Sequence, residues 1–422
     1  GATMQIDGLY KVSSTAAPVV TNAGTTTVTS TGTYEHARDA GIIPTCTWNT
    51  GSTCLITGTG NNAPTGLAQS FHHFTVNTTL TNSVNCSGAL QTINGKFNLT
   101  TNHASFGWRL TGTTTYTLTV ADSLIISNGI LDAASGGSSG TINANGAFVM
   151  SGSSSQITKS GAATITVNAN NNFTQNAGII EFNAGGSSNT TWNIKGDFVQ
   201  GGTIQRTNGG THVLNFNKAS GVQTWTQTGT YGTGAMTVNV GNATTNTLQL
   251  LSNISLGTSA QVFNVTNGAT LDMGPYVMTG TSSTFAVGAT GAVKFGSVDG
   301  ITTSPTASGN VQTLTRNFPG TASYFYNGIA NQVTGNALPS TMTGTGNLNI
   351  QSSSGAVVTL TNNNTTTPTF NLLSGLFAAG NTQQLNITSG GTVNASGGDW
   401  VANNTAGLLN FAGSGTFTGS CN

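Results

Sequence analysis

The sequence predicts an all-β fold: a right-handed parallel β-helix, or β-solenoid, with coils of about 25 residues running through one continuous domain, 1–422. Three observations predict it. Helix signals are nearly absent, because glycine or a β-branched residue interrupts every stretch that could carry a 3.6-residue period. Short alternating segments, such as TYTLTV (115–120), TITVNA (164–169), TWNIKG (191–196) and VLNFNK (213–218), are punctuated by the turn dipeptides GG, NG and SG. Apolar residues also recur at long range. Phe148, Phe173 and Phe198 are spaced by 25 and 25 residues, Leu124 lies 24 before the first, and the three Phe residues are followed by Ile157, Ile180 and Ile204.

The elements follow in order. The opening GATMQIDGLYKV is nearly repeated at 268–278 as GATLDMGPYVM, so residues 1–12 read as the interior of a coil. The stretches 146–161, 171–185 and 196–209 share one plan: apolar strand, glycine corner, apolar strand, glycine-rich corner. Their inward residues must stack, and the whole chain then makes roughly 17 coils. The plan continues through Phe263 and Val265, Leu271 and Met273, Phe285 and Val287, and Val293 and Phe295, with distorted coils expected near Pro305, Pro319 and Pro339.

Composition agrees with stacking. Only 5% of the 422 residues are charged, and ten basic residues balance ten acidic ones. In stacked parallel strands each side chain lies over its counterpart, so like charges would repel at strand spacing, whereas Thr, Ser and Asn can hydrogen-bond along the stack. A neutral chain offers no basic stripe for nucleic acid or an anionic membrane. No apolar run of about 18 residues is present to span a membrane as a helix. Disorder is excluded by the regular threading of Val, Ile, Leu and Phe. The cysteines Cys46, Cys54, Cys86 and Cys421 lack zinc-site spacing. Cys46 and Cys54 flank the Trp48-Asn49-Thr50-Gly51 turn, a spacing that allows a disulfide, although a free buried cysteine is an ordinary small hydrophobe.

Two passages go beyond generic solenoid sequence. YEHARDAGIIPTCTWNTGSTCLITG (34–58), followed by 66–77 and 90–102, is one; GNVQTLTRNFPGTASYFYNGIANQVTGNALP (309–339) is the other. Together they resemble the long β-strand-repeat surface proteins of Bacteroidota, above all in the runs from Ile43 to Cys54 and from Tyr324 to Pro339. Tyr326 stands where that family usually has Phe. The resemblance implies a secreted, adhesin-like cell-surface protein exported by type IX secretion, with the secretion machinery, neighbouring domains, and a carbohydrate or surface receptor as partners. The family's leader and C-terminal sorting domain are not seen, so the chain is expected to be an internal or truncated portion of a longer protein. Asp122-Ser123-Leu124 resembles the Asp-Ser/Thr-apolar O-glycosylation motif of Bacteroidota and marks Ser123 as a glycan site.

Catalytic chemistry needs clustered groups, and the ten acids are scattered from Asp7 to Asp399. Folding the repeat brings Lys159, Glu181 and Arg206 to nearly equivalent positions, which reads as an exposed ion-pair ladder. Glu35, His36, Arg38 and Asp39 read as a coil corner. His72 and His73, adjacent in a strand, would point to opposite faces and make a poor ligand pair. Trp192 is in register with the core, while Trp225 could be core or a sugar platform. No nucleotide-binding, metalloprotease or esterase motif is present. The leading expectation is therefore a non-catalytic structural and adhesive surface protein with no metal or cofactor. A polysaccharide lyase or hydrolase is the first rival. Ice binding ranks third, because Thr27-Val28-Thr29 and Thr117-Leu118-Thr119 do not recur at one fixed period, as a flat ice-matching face requires.

Overall fold

The computed structural model describes residues 3–13, 24–101, 103–303, 308–361, 364–401 and 408–419. Gly1, Pro305 and Cys421 lie outside them. Among the described residues there is no helix; the strands are parallel and stack as a β-solenoid of about 16 turns with coils of about 24 residues. The chain groups into two compact units, Gly1–Leu214 with Thr228–Gly234, and Asn215–Gln227 with Ala235–Asn422.

In the first unit each complete coil contributes one strand to each of three parallel sheets. One sheet stacks Thr92–Ile93, Tyr116–Val120, Ser139–Ala144, Thr164–Ala169 and Thr190–Ile194. A second stacks His73–Thr78, Phe97–Thr101, Leu124–Asn128, Phe148–Met150, Phe173–Gln175 and Phe198–Gln200. The third includes Gly107–Arg109, Ile130–Asp132, Gln156–Thr158, Ile179–Glu181 and Thr203–Gln205. Side chains alternate along each strand, so one face of every sheet packs into the coil and the other meets solvent.

The long-range period is realised as stacking. Leu124, Phe148, Phe173 and Phe198 pair in register on successive coils. The Phe148 and Phe173 rings lie 4.5 Å apart and those of Phe173 and Phe198 5.0 Å apart, near parallel. Trp192, from the adjoining sheet, lies almost parallel to Phe148 and Phe173 at 5.9 and 5.6 Å. Ile157, Ile180 and Ile204 form the matching column on the third sheet. Gly140 occupies an inward position where a Cβ would fall 2.2 Å from Cε1 of Tyr116, so the ring takes the space a side chain would need. Gly178 turns a corner at φ 82°, a conformation that favours glycine.

The first coils carry an irregularity. Met4–Ile6, Thr26–Val28 and Cys46–Trp48 form a separate three-stranded sheet. Past its last strand the Gln69 side chain replaces the missing ladder. Its Oε1 accepts from Cys46 N (2.8 Å) and Trp48 Nε1 (3.1 Å), and its Nε2 donates to Pro44 O and Gly66 O.

The second unit stacks Thr247–Leu250, Thr270–Asp272, Ala292–Phe295, Ser323–Tyr326, Asn347–Gln351, Thr365–Ala379 and Gln384–Ala395. The last two run on through coil corners, and the Thr365–Ala379 strand also pairs with Val357–Leu360. Tyr326 is fully buried, and its hydroxyl donates to Thr334 O at 2.8 Å. The hydroxyl that distinguishes it from Phe thus has a partner.

Candidate functional site

The sequence-predicted groups are tied into hydrogen bonds and ion pairs of the coils. Glu35 is buried, paired with Lys11 at 2.8 Å, and accepts a hydrogen bond from Thr57 Oγ1 at 2.7 Å. These bonds, that from Lys11 foremost, lower its pKa. His36 is fully buried, with Nε2 2.6 Å from Ala40 O, and burial lowers its pKa. Asp39 Oδ1 accepts the backbone N–H groups of Gly60, Asn61 and Asn62 at 3.0, 2.8 and 2.8 Å. Desolvation alone would raise its pKa, but these donors outweigh it and hold it at about 2. Glu35 and His36 thus end the strand Thr33–His36 rather than form a corner, and only the segment after it, with Arg38 and Asp39, is a corner, clamped to Gly60–Asn62.

The Lys159, Glu181 and Arg206 ladder does not form as an exposed row. The register Ile157–Ile180–Ile204 places Glu181 beside Gln205, one position out of line with Lys159. Lys159 turns inward and is 1% exposed, its Nζ donating to Gly161 O and Ser188 Oγ. Glu181 is 4% exposed and accepts from Gln205 Nε2 (2.9 Å), Thr207 N (2.9 Å), Thr207 Oγ1 (2.9 Å) and Asn183 N (3.1 Å). Arg206 Nη1 donates to Asn208 O. The cavity bordered by Lys159, Ile157, Phe182 and Trp192 is about 10 Å³, near the lower limit for one water and too small for a substrate.

Sequence reasoning missed the pair beside it, a half-buried Arg109 on a buried Asp132. Arg109 Nε lies 2.7 Å from Asp132 Oδ2, and Ser160 Oγ donates to the same oxygen at 3.0 Å. Burial raises the Asp132 pKa despite Arg109 and Ser160, which pull the other way. Arg109 and Asp132 stand in register on successive strands, 23 residues apart, and that near-coil spacing of opposite charges was the available signal.

Lys159 supplies a pH test. Burial depresses its pKa to about 8 from 10.5. The folded state therefore releases the proton before the unfolded chain does, and stability rises with pH between those two values and is lowest below about 8. Lys159→Met is expected to stabilise the protein at pH 7 by about 1–2 kcal/mol. Urea melts at pH 7 and pH 10 should show the gain shrinking at the higher pH; an equal change at both would mean that the charge is not the cause.

Other expectations resolve similarly. Cys46, Cys54 and Cys86 are free thiols in the structure. Cys54 is fully buried inside its coil, whereas half-buried Cys46 bonds through Sγ to Pro44 O at 3.3 Å. Burial pushes the Cys46 thiol up to about 11, leaving little thiolate in the open groove that Cys46 lines with Ile42, Pro44 and Thr47. His72 and His73 do not point apart: a bend separates them, and their rings meet edge to face at 4.3 Å. Among the described residues no three His, Cys, Asp or Glu side chains group as a metal site. Trp48, Trp108, Trp192 and Trp225 are buried, so none is a surface sugar platform. Ser123 is half-exposed at a corner, its hydroxyl donating to Asp122 Oδ1 at 2.8 Å.

One outward sheet face is polar and regular. On the sheet from Tyr116–Val120 to Thr190–Ile194, Thr117, Thr141, Thr166 and Thr191 stand in register on four successive coils. Beside them run Thr119, Asn143, Asn168 and Asn193. The Asn143 amide donates to Thr119 Oγ1 at 3.4 Å, and Asn168 to Asn143 and Asn193 to Asn168 at 2.8 Å each. The second unit repeats the device in Asn215, Asn239 and Asn264, and in Asn349, Asn371 and Asn394. The run Thr117-Leu118-Thr119 thus continues as Thr-x-Asn on the next three coils, over spacings of 24, 25 and 25 residues, so no Thr-x-Thr run recurs at one fixed period and the shared element is a single threonine column. No protein-family model matches the chain, and neither does any curated protein or solved structure.

Proposed function

We infer that the chain is a non-catalytic structural and adhesive protein of a bacterial cell surface, secreted by a type IX-like route. One observation carries the reading: the charged groups that might do chemistry, Glu35, Asp39, Asp132, Lys159 and Glu181, are each engaged in holding coil corners or core. The outer face of the sheet from Tyr116–Val120 to Thr190–Ile194 is left to uncharged Thr and Asn columns, suited to many weak contacts with a neutral surface such as carbohydrate. The resemblance of 34–58 and 309–339 to Bacteroidota repeat proteins supplies the secretion route and the extracellular location.

The test is to incubate the protein with immobilised surface polysaccharides, measuring retention and the appearance of new reducing or unsaturated ends. Retention without new ends is expected. New ends would replace this reading with that of a polysaccharide lyase or hydrolase. Chelator treatment is expected to leave the melting temperature unchanged; a marked drop would point to a structural calcium.

A further inference from the structure

We propose that the Thr and Asn face of the first unit, centred on Thr166 and Asn168, binds the surface of crystalline ice. Four threonines form one column and Thr119, Asn143, Asn168 and Asn193 the next, in unbroken register. Along the columns the spacing is the strand separation, about 4.8 Å; between them it is two residues of extended chain, roughly 6.7 Å. These two repeats are comparable to the oxygen repeats on a prism face of hexagonal ice.

Three properties make the grid suited to a lattice rather than to a dissolved ligand. It is rigid: beneath it Leu118, Ile142, Val167 and Trp192 are buried in the same register, and the amide series fixes the Asn side chains. Little conformational entropy is lost on adsorption. It is available: among the described residues the hydroxyls of Thr117, Thr141, Thr166 and Thr191 make no hydrogen bond, and the four side chains are half or fully exposed. Each can hold one water at a defined place, with its methyl group limiting where the next water sits. It is also neutral, as ice is. No Asp, Glu, Lys or Arg occurs in the two columns, so adsorption strips no charge of its hydration. In the second unit the equivalent columns are broken by Val262 and Ala286, which confines the continuous grid to the first.

This proposal stands apart from the adhesive reading, and either can fail alone. The test uses the full chain in three forms: unaltered, with Thr166→Tyr, and with Thr174→Tyr. Thr174 faces outward on the same coil but on another sheet, between Val149 and Val199. Thermal hysteresis, ice-recrystallisation inhibition and the fraction incorporated into a slowly grown ice ball are measured, with a melt to confirm folding. The unaltered chain and Thr174→Tyr are expected to enter the ice and show hysteresis, and Thr166→Tyr to lose both while melting normally. Exclusion of the unaltered chain from ice overturns the proposal, as does full activity of folded Thr166→Tyr. If only crystalline cellulose or chitin retains the chain, and Thr166→Tyr abolishes that retention, the face belongs to a neutral polysaccharide. If the same substitution dissolves a dimer of an ice-inactive chain, it belongs to a second copy.

Discussion

Phe173→Asp is expected to destabilise the protein by at least about 4 kcal/mol. The Phe173 ring is fully buried and makes near-parallel contacts with Phe148, Phe198 and Trp192. Truncation alone would open a cavity between two coils, and the carboxylate would lie among the rings of Phe148, Phe198 and Trp192. Because coils in a solenoid are held mainly by their neighbours, the loss should be local before it is global. Amide exchange should accelerate first in strands Phe148–Met150, Phe173–Gln175 and Phe198–Gln200. Phe173→Leu, which keeps most of the volume, should cost less than about 1.5 kcal/mol. An Asp variant that melts like the unaltered chain would falsify the stacked column.

Arg109→Met is the second large effect, expected to cost about 3–5 kcal/mol at neutral pH because it leaves the Asp132 carboxylate buried without its cation. Burial already raises the Asp132 pKa, and removing Arg109 takes away the largest opposing influence, so the pKa rises further. A raised folded-state pKa means that the protonated acid is favoured in the folded protein. Stability is then recovered as pH falls through that value and lost as pH rises through it. Melts of the variant between pH 5 and 8 should therefore show a deficit that narrows toward the acid end. A deficit that is flat with pH would mean that Arg109 acts through its packing alone.

The stacked apolar columns were legible from the sequence because strand alternation and coil period coincide there: Phe148, Phe173 and Phe198 differ by the same number of residues. The sides of the coil were harder to phase. Corners absorb a residue here and release one there, so Arg109 to Asp132 is 23 residues while Thr117 to Thr141 is 24 and Thr141 to Thr166 is 25. One residue of error turns a side chain from outside to inside. That is why Lys159 looked like a surface cation and is a core residue, and why the threonine columns were invisible to a search for one fixed period. His72 and His73 show the same limit on a smaller scale, since a bend between them removed the alternation on which the opposite-face argument depended.

The asparagine series has a consequence for how such a chain can change in length. Asn168 gives its amide to Asn143 and receives that of Asn193, and the Asn215–Asn239–Asn264 and Asn349–Asn371–Asn394 series of the second unit point the same way along the chain. A coil duplicated within the series would arrive with one donor and one acceptor already matched to its neighbours. A coil deleted from it would leave no amide of the series without its partner. The series itself therefore accommodates copying errors of about one coil, whereas the buried Asp132 and Lys159, whose partners come from neighbouring coils, restrict where such errors can fall.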